Sequence, residues 1–164
     1  MQIKFMARAI EIAREAVDTD GTLPYGAVVV LDGEIIGEGL NRSVADCDPT
    51  SHGEVEAIRN ACRRLSLTSL KGAELYTTGE PCSMCVATMY QVGISRLFYA
   101  GTAEDSAAFF QRLAEHDPKW ARGISNQKLR EQVGLPVRER DMVAEQIQRE
   151  GVLDVYDAFI KSHT

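Results

Sequence analysis

The sequence predicts an α/β layered fold, in which one sheet lies between helices. Three observations support this fold class. An amphipathic pattern with helical spacing covers residues 2–18,. Two β-rich runs joined by a turn signal follow within residues 25–40,. From residue 52 onward helical patterns alternate with short β-rich runs, and such alternation is typical of a sheet flanked by helices,.

The first helix and the first two strands follow from simple periodic patterns. Residues 25–31 predict a strand centred on three valines, and residues 34–40 predict a second strand that contains two glycines,. Asp32-Gly33 between them is a hairpin turn signal,. Glycines inside a strand weaken it or mark a bulge. The apolar positions of the helix are Phe5, Met6, Ala9, Ile10, Ala13, Ala16 and Val17.

The middle of the chain predicts two further helix and strand pairs. A polar loop at residues 42–51 leads into a helix over residues 52–65, and residues 73–77 predict a short strand,. Pro81 suits the first turn of the next helix, because its missing N–H would be unpaired there anyway,. Residues 96–100 predict the fourth strand,.

The signal weakens after residue 103. Residues 104–115 predict a helix that buries Phe109, Phe110 and Leu113,. We find no repeat, low-complexity tract or linker, and expect one domain over residues 1–164,. The remaining predictions are a short helix near residues 126–132, an edge strand at residues 137–140, and helices at residues 142–149 and 152–161 separated by Gly151.

Composition limits the classes of partner. The chain is 45% apolar and 26% charged, as expected for a globular protein,. Its net charge of −6 argues against a nucleic-acid partner, because surfaces that bind nucleic acid are normally basic,. No apolar run approaches the ~20 residues that cross a bilayer. Four cysteines fit a reducing compartment, so we expect a cytoplasmic protein without a membrane partner,.

Two short motifs carry the chemistry. They are His52-Gly53-Glu54 and a later Cys82-x-x-Cys85 pair that follows Pro81. Imidazole and thiolates are zinc ligands, and a catalytic zinc keeps its fourth position for water. Both motifs are predicted at helix N-termini, where the helix dipole favours thiolate over thiol. We therefore predict one Zn²⁺ per chain on His52, Cys82 and Cys85.

Glu54 is the predicted catalytic residue. The H-x-E and P-C-x-x-C combination is the known signature of zinc-dependent nucleobase deaminases,. Zinc lowers the pKa of bound water to about 7. A carboxylate two residues from His52 can face that water without binding the metal, take its proton, and pass it to a ring nitrogen and the leaving amine.

A closed structural zinc site is the alternative. It would need a fourth ligand, and none of the candidates has a short ligand spacing from the motif. The candidates are Cys47, Cys62, His116 and His163. A non-catalytic, zinc-stabilised binding module therefore stays as a hypothesis from a different functional class.

The two motifs, together with the run from Pro24 to Val28, resemble the cytidine deaminase superfamily and, within it, the bacterial guanine deaminases. The similarity covers residues 5–103, including Asn41 and Asp48-Pro49-Thr50. It implies a three-layer α/β/α fold with a central five-stranded mixed sheet, zinc on the same three ligands, and Glu54 as proton shuttle. It also implies a homodimer, in some relatives with exchanged C-terminal segments.

Four further residues are candidates for binding substrate. The Asn41 side chain has both a donor and an acceptor, so it can form hydrogen bonds with the edge of a base. The alternative is an asparagine that only caps the loop that follows it. Tyr25 can stack on a flat base, and otherwise is a core aromatic residue. The backbone N–H of Ala27 is a candidate contact to substrate or water. Tyr156 lies in the last helix, where related families close the pocket, although a plain amphipathic helix explains it equally.

The substrate prediction is a free nucleobase, with guanine first and cytosine second. Many guanine deaminases have alanine at the position of Gly53, whereas fungal cytosine deaminases have glycine. The acidic pair that grips guanine in those enzymes is absent from residues 106–111. Nearby acids that could replace it are Glu104, Asp105, Glu115 and Asp117. Deamination of tRNA adenosine, which uses the same motif, is the further alternative.

Overall fold

A four-stranded mixed sheet lies at the centre of residues 1–126 in the computed structural model, which describes residues 2–121 and 124–164. Residues 1–126 and residues 127–164 form two compact units. The sheet has the order β2-β1-β3-β4. Strand β1 pairs antiparallel with β2 and β3, and β3 pairs parallel with β4. The strands are β1 (Leu23–Leu31), β2 (Glu34–Asn41), β3 (Glu74–Gly79) and β4 (Arg96–Gly101).

Helices cover both faces of this sheet. Val28, Val30 and Tyr76 face α1 (Gln2–Arg14), which contributes Phe5 and Ile12 to their cluster. The alternate positions of β1 and β3 belong to a larger cluster with α2 (Gly53–Leu65) and α3 (Ser83–Val92). Successive side chains of a strand point to opposite faces, so the valine run of β1 supplies both clusters. The predicted layered α/β fold is confirmed.

The glycines of β2 are the places where α2 lies against the sheet. A Cβ atom at Gly37 would clash with the Ala57 carbonyl oxygen, and one at Gly39 with the backbone of Ala57 and Gly53. The pairing register also shifts between Val29, which pairs with Gly37, and Val30, which pairs with Ile35. An irregularity of the strand therefore lies beside Gly37, in line with the prediction that the glycines weaken the strand or mark a bulge. The glycines therefore let the N-terminus of α2 lie close to the end of β2.

Two predictions about the sheet were wrong, namely the five strands implied by the resemblance and the edge strand at residues 137–140. Among the described residues the sheet has four strands, and Val137–Glu139 form a 3-10 helix. Pro136 precedes this helix, and the carbonyl oxygen of Pro136 accepts a hydrogen bond from the Glu139 N–H at 2.9 Å. With a single apolar residue among Val137-Arg138-Glu139-Arg140, the segment has no face to bury on a sheet,.

The helices at the ends of the chain differ from the prediction in their bounds. The first helix ends at Arg14 and continues as a 3-10 turn to Val17. Residues 143–148 are not helical, whereas α6 (Arg149–His163) runs without a break through Gly151. Gln148 has φ 54° and so separates the two stretches. Gly151 lies in the first turn, where its low helix propensity costs at most ~1 kcal/mol.

Two more helices complete the described chain. Helix α4 (Ala103–His116) buries Phe110 and half-buries Phe109 and Leu113, which is less burial than predicted. Helix α5 (Asn126–Gly134) extends the predicted short helix by two residues. None of the helices in the described ranges is long and apolar enough to cross a bilayer.

Candidate active site

The three predicted ligand atoms converge at one point. The Cys82 and Cys85 Sγ atoms are 3.7 Å apart, and they lie 3.7 and 3.4 Å from His52 Nδ1. A tetrahedral zinc with ~2.3 Å bonds to sulfur and ~2.0 Å bonds to nitrogen requires sulfur–sulfur separations of about 3.8 Å and sulfur–nitrogen separations of about 3.5 Å. The side chains therefore have the spacing of three ligands on one tetrahedral metal ion.

Helix N-termini position these ligands, as predicted. His52 is the N-cap of α2, and its carbonyl oxygen accepts from the Glu56 N–H at 2.9 Å. Cys82 is the N-cap of α3, and its carbonyl oxygen accepts from the Val86 N–H at 3.0 Å. Cys85 follows in the first turn of α3 and is fully buried. The two N-termini meet at the ligand cluster, where their dipoles favour negative charge.

The two thiols differ in acidity. The hydrogen bond between the two thiol groups, together with His52, lowers the pKa of Cys82 to about 4. The same hydrogen bond, together with burial, raises the pKa of Cys85. The first thiolate therefore forms readily, and the second forms when a cation offsets its charge. Metal binding at such a site releases protons.

Glu54 lies in the same pocket but outside the ligand cluster. It is 6% exposed in the first turn of α2, and burial raises the pKa of its carboxyl group. The ligand cluster within the described residues consists of His52, Cys82 and Cys85. A carboxylate with a raised pKa accepts a proton more readily than an exposed one, which suits a proton shuttle.

Gly53 has a steric reason for lacking a side chain. A Cβ atom there would clash with the Tyr25 carbonyl oxygen and would lie 3.3 Å from the Gly39 carbonyl oxygen. The glycine therefore lets the ligand-bearing end of α2 lie directly against β1. It reflects backbone packing, and it does not by itself favour a cytosine substrate.

The structure brings five of the eight predicted site residues together in one pocket. Four further residues of its lining were not predicted. Glu80 directly precedes Pro81 and Cys82, and this position next to the cysteine motif is a sequence signal for a pocket residue. Ser106 and Asn126 carry no local sequence signal. The pocket is lined by Tyr25, Asn41, His52, Glu54, Gly79, Glu80, Cys82, Ser106 and Asn126.

Asn41 has a defined orientation at the end of β2. Its Oδ1 atom accepts hydrogen bonds from the Ser43 N–H at 3.1 Å and the Ser43 hydroxyl at 2.8 Å. A backbone N–H can only donate, so the amide oxygen must face Ser43. The side-chain NH₂ group is then the part of Asn41 left to donate a hydrogen bond to a ligand in the pocket that Asn41 lines. The loop-capping and substrate-binding interpretations are thus compatible, and the group offered to a substrate is a donor.

Tyr25 is both a packed aromatic residue and a pocket residue. Its ring is parallel to Phe110 and edge-on to Phe109, with ring centroids 6.2 Å apart in both pairs. It also lines the pocket beside Gly79 and Ser106. The phenylalanine pair that occupies the region of the missing acidic pair therefore supports Tyr25.

The structure does not test the roles of two predicted substrate residues. Ala27 is fully buried in β1, in register with Gly39 and Thr77, and is not among the residues that line the pocket. Tyr156 lies on α6 in the second unit and is 58% exposed. Their proposed contacts with substrate stay predictions.

The four acids considered as replacements do not line the pocket either. Asp105 accepts from the Thr102 N–H at 2.8 Å and forms the capping box of α4. Asp117 pairs with Lys119 at 2.7 Å. Glu104 and Glu115 are exposed. Glu80, whose Oε2 atom accepts from the Ala103 N–H at 3.0 Å, is the carboxylate that lines the pocket with Glu54.

The four candidates for a fourth zinc ligand do not join the cluster. Within the described ranges the metal-ligating group contains none of them. Cys47 is exposed, and Cys62 packs against the core cluster from α2. His116 and His163 lie in the last turns of α4 and α6. The three-ligand arrangement leaves a coordination position for water, as in catalytic zinc sites.

The fold and this site together define a zinc-dependent hydrolytic deaminase. Residues 1–101 match the cytidine and deoxycytidylate deaminase zinc-binding region. The chain therefore belongs to the cytidine and deoxycytidylate deaminase family, and the three ligand residues lie within the matched range.

Two relatives and one solved structure illustrate what this chain is similar to. Guanine deaminase from Bacillus subtilis is 44% identical over 103 residues, which is 63% of this chain and 66% of that protein. The tRNA-specific adenosine deaminase from Agrobacterium fabrum is 38% identical over 143 residues, which is 83% of this chain and 93% of that protein. The crystal structure of the Bacillus subtilis guanine deaminase superposes with a TM-score of 0.81 at 32% identity, and covers 98% of this chain and 94% of that chain.

Proposed function

We propose that this chain deaminates a free nucleobase, with guanine as its preferred substrate. The observation that carries the proposal is the shared pocket. Two members of the ligand cluster, His52 and Cys82, line it together with Glu54 and Asn41. The similarity to the guanine deaminase of Bacillus subtilis, over the sequence and over almost the whole fold, supports guanine as the base.

The reaction divides among the residues as follows. A zinc ion held by His52, Cys82 and Cys85 would lower the pKa of a water molecule to about 7 and so supply a nucleophile near neutral pH. Glu54 takes a first proton from that water as its oxygen bonds to the amine-bearing carbon, and gives this proton to the neighbouring ring nitrogen. Glu54 then takes the second proton from the hydroxyl group on that carbon and gives it to the amine as the carbon–nitrogen bond breaks, so that ammonia departs and the carbonyl product remains. Asn41 donates to an acceptor on the base, and the Tyr25 ring packs against its face.

The Asn41 donor requires an acceptor on the base. The carbonyl oxygens of guanine and cytosine and the ring nitrogens of adenine can all accept, so this contact does not by itself rank the bases. A buried pocket that donates a hydrogen bond discriminates against a ligand with no acceptor at that position, because its polar group is left unpaired. The order of guanine first and cytosine second rests on the similarity to the guanine deaminase of Bacillus subtilis.

Deamination of tRNA adenosine is the second candidate. It is favoured by the Agrobacterium fabrum relative, which is matched over more of its length than the Bacillus subtilis protein. The net charge of −6 argues against it, because phosphate contacts normally require a basic surface,.

An ammonia-release screen with parallel zinc analysis tests the proposal. The substrates are guanine, cytosine, adenine, their nucleosides, aminated triazines and a tRNA anticodon stem-loop. We expect guanine to react fastest and one zinc per chain. Faster turnover of nucleosides or of the stem-loop would contradict a free-base pocket, and zinc without ammonia from any substrate would favour the binding module.

We also propose that the protein is a cytoplasmic homodimer. An exchange of C-terminal segments between the two protomers is one form that this dimer can take. All four cysteines are free, as in a reducing compartment,. Helix α6 carries exposed apolar side chains at Val155, Tyr156, Phe159 and Ile160, each between 56% and 63% exposed. Sedimentation at micromolar concentration should give a species of twice 18.1 kDa, and a lone 18.1 kDa species would contradict the dimer.

A further inference from the structure

The loop of residues 42–51 joins the two sides of the pocket. It follows Asn41 at the end of β2 and precedes His52 at the start of α2. The Arg42 N–H donates to the Ser51 carbonyl oxygen at 3.0 Å and closes the loop beside both residues. The separation between a zinc ligand and the group that faces the substrate therefore depends on how this loop is held.

Arg59 holds the loop from the second turn of α2. Its Nη2 atom donates to the Thr50 hydroxyl at 3.2 Å, and its Nη1 atom lies 3.7 Å from Asp48 Oδ2. Nη1 also donates to Glu56 Oε1 at 2.6 Å. One guanidinium group thus contacts two loop residues and one residue of its own helix.

The contacted residues lead directly to the ligand. The Thr50 carbonyl oxygen accepts from the His52 N–H at 2.8 Å. Asp48 Oδ1 accepts from the Thr50 N–H at 2.8 Å and from its hydroxyl at 2.7 Å. Ser51, which is 1% exposed, donates to the same Glu56 oxygen at 3.0 Å. Asp48 and Thr50 are therefore tied directly to Arg59, and Ser51 is tied to it through Glu56.

We propose that Arg59 is a positioning residue that sets the places of His52 and Asn41 by clamping residues 48–51 onto α2. It touches neither metal nor substrate. The clamp explains the Asp48-Pro49-Thr50 segment, which has no place in the chemistry itself. A planar guanidinium group with several fixed donors can hold these acceptors at once, whereas the single ammonium of lysine cannot reproduce the fork.

The part of the proposal that concerns Asn41 rests on the proposed function, whereas the part that concerns His52 does not. Zinc release needs no substrate, so it can be measured whatever base is deaminated. Removal of the clamp should speed zinc loss because His52 is less constrained, and should raise KM because Asn41 shares the closed loop. Supporting contacts around metal ligands typically affect metal affinity or activity by about 10–100-fold.

The experiment compares Arg59→Met, Arg59→Lys and the control Arg63→Met in the zinc-loaded protein. Arg63 is an exposed arginine in the last turn of the same helix. Zinc release is followed with a chromophoric chelator, kcat and KM are measured on guanine, and unfolding is followed by circular dichroism. We expect about tenfold faster zinc release and a raised KM for Arg59→Met, a smaller change for Arg59→Lys, and values within twofold of wild type for Arg63→Met.

Thr50→Val provides a second, milder variant in case Arg59→Met does not fold. It removes the hydroxyl group that joins Arg59 to Asp48 while keeping a similar volume. Faster zinc release in this variant supports the clamp. Zinc release and KM equal to those of Arg63→Met, with only the unfolding temperature lowered, would overturn the proposal. Faster zinc release from a protein that does not deaminate guanine supports the clamp and contradicts the proposed substrate.

Discussion

At the scale of single residues, Glu54 separates metal binding from proton transfer. It lies in the pocket, yet the ligand cluster is complete without it. We expect Glu54→Gln to keep one zinc per chain and to lose about 10²–10⁴-fold in kcat, the usual contribution of general acid–base catalysis. Elemental analysis and ammonia release measure the two effects.

His52→Ala is the matched comparison. It removes a ligand, so zinc content and stability should fall together with activity. If Glu54→Gln lost the metal as His52→Ala does, Glu54 would be a ligand and its assignment as proton shuttle would be wrong.

Asn41 tests which hydrogen-bonding group the pocket presents. Asn41→Asp keeps the size of the side chain and the acceptor for Ser43, but replaces the amide donor by an acceptor. We expect KM for guanine to rise by about 10–100-fold, since a lost or unpaired buried hydrogen bond costs ~1–3 kcal/mol. Zinc content should stay at one per chain.

Ser43→Ala serves as the control for Asn41. It removes one of the two hydrogen bonds to Oδ1 but leaves the Ser43 N–H in place, so the amide should keep its orientation. An unchanged KM in Asn41→Asp would mean that the side chain does not contact the base.

At the scale of elements, an ion pair joins α1 to β2. Arg8 Nε and Nη2 donate to the two carboxylate oxygens of Glu38 at 2.8 and 2.9 Å. The hydrogen bonds from Arg8 lower the pKa of Glu38 from its ordinary 4.5. A depressed pKa in the folded state means that the pair stabilises the protein above about pH 4.5, and that this contribution is lost as the pH falls through the folded pKa.

Glu38→Gln should therefore destabilise the protein near pH 7 by at most ~1 kcal/mol, since both side chains are about one-third exposed,. The difference from wild type should shrink toward zero below the depressed pKa. Urea unfolding at neutral and acid pH measures it, with the exposed Glu34→Gln on the same strand as control. A difference that grew on acidification would contradict the assigned sign.

The sequence predicted the elements that local patterns encode, and it predicted the metal site almost completely. The ligands and Glu54 lie within two short motifs at helix N-termini, so spacing alone indicates their geometry. Ser106 and Asn126 reach the pocket from distant elements, which no local pattern can indicate. The segment Val137–Glu139 was misassigned because alternating charge resembles an edge strand, whereas Pro136 favours a tight turn.

At the scale of the whole molecule, the apolar side chains of α6 are the testable part of the proposed dimer. Val155 and Phe159 are four residues apart, so they share one face of the helix, and both are more than 60% exposed,. Val155→Ser combined with Phe159→Ser should shift the protein from dimer to an 18.1 kDa monomer in sedimentation experiments. The control Lys161→Ser, on the same helix, should leave the protein dimeric. A double variant that remains a dimer would exclude this face of the helix as the dimer interface.

The placement of the zinc ligands has a consequence for chain topology. The first ligand is residue 52 and the last is residue 85, and β3 lies between the two helices that carry them. A metal ion at this point joins the ends of that segment and converts it into a closed ring of some thirty residues. A ring has fewer disordered arrangements than an open chain, so part of the stabilisation by zinc arises in the unfolded state. Chelation should therefore speed amide hydrogen exchange in α2, β3 and α3 more than in the β1–β2 hairpin, which lies outside the ring.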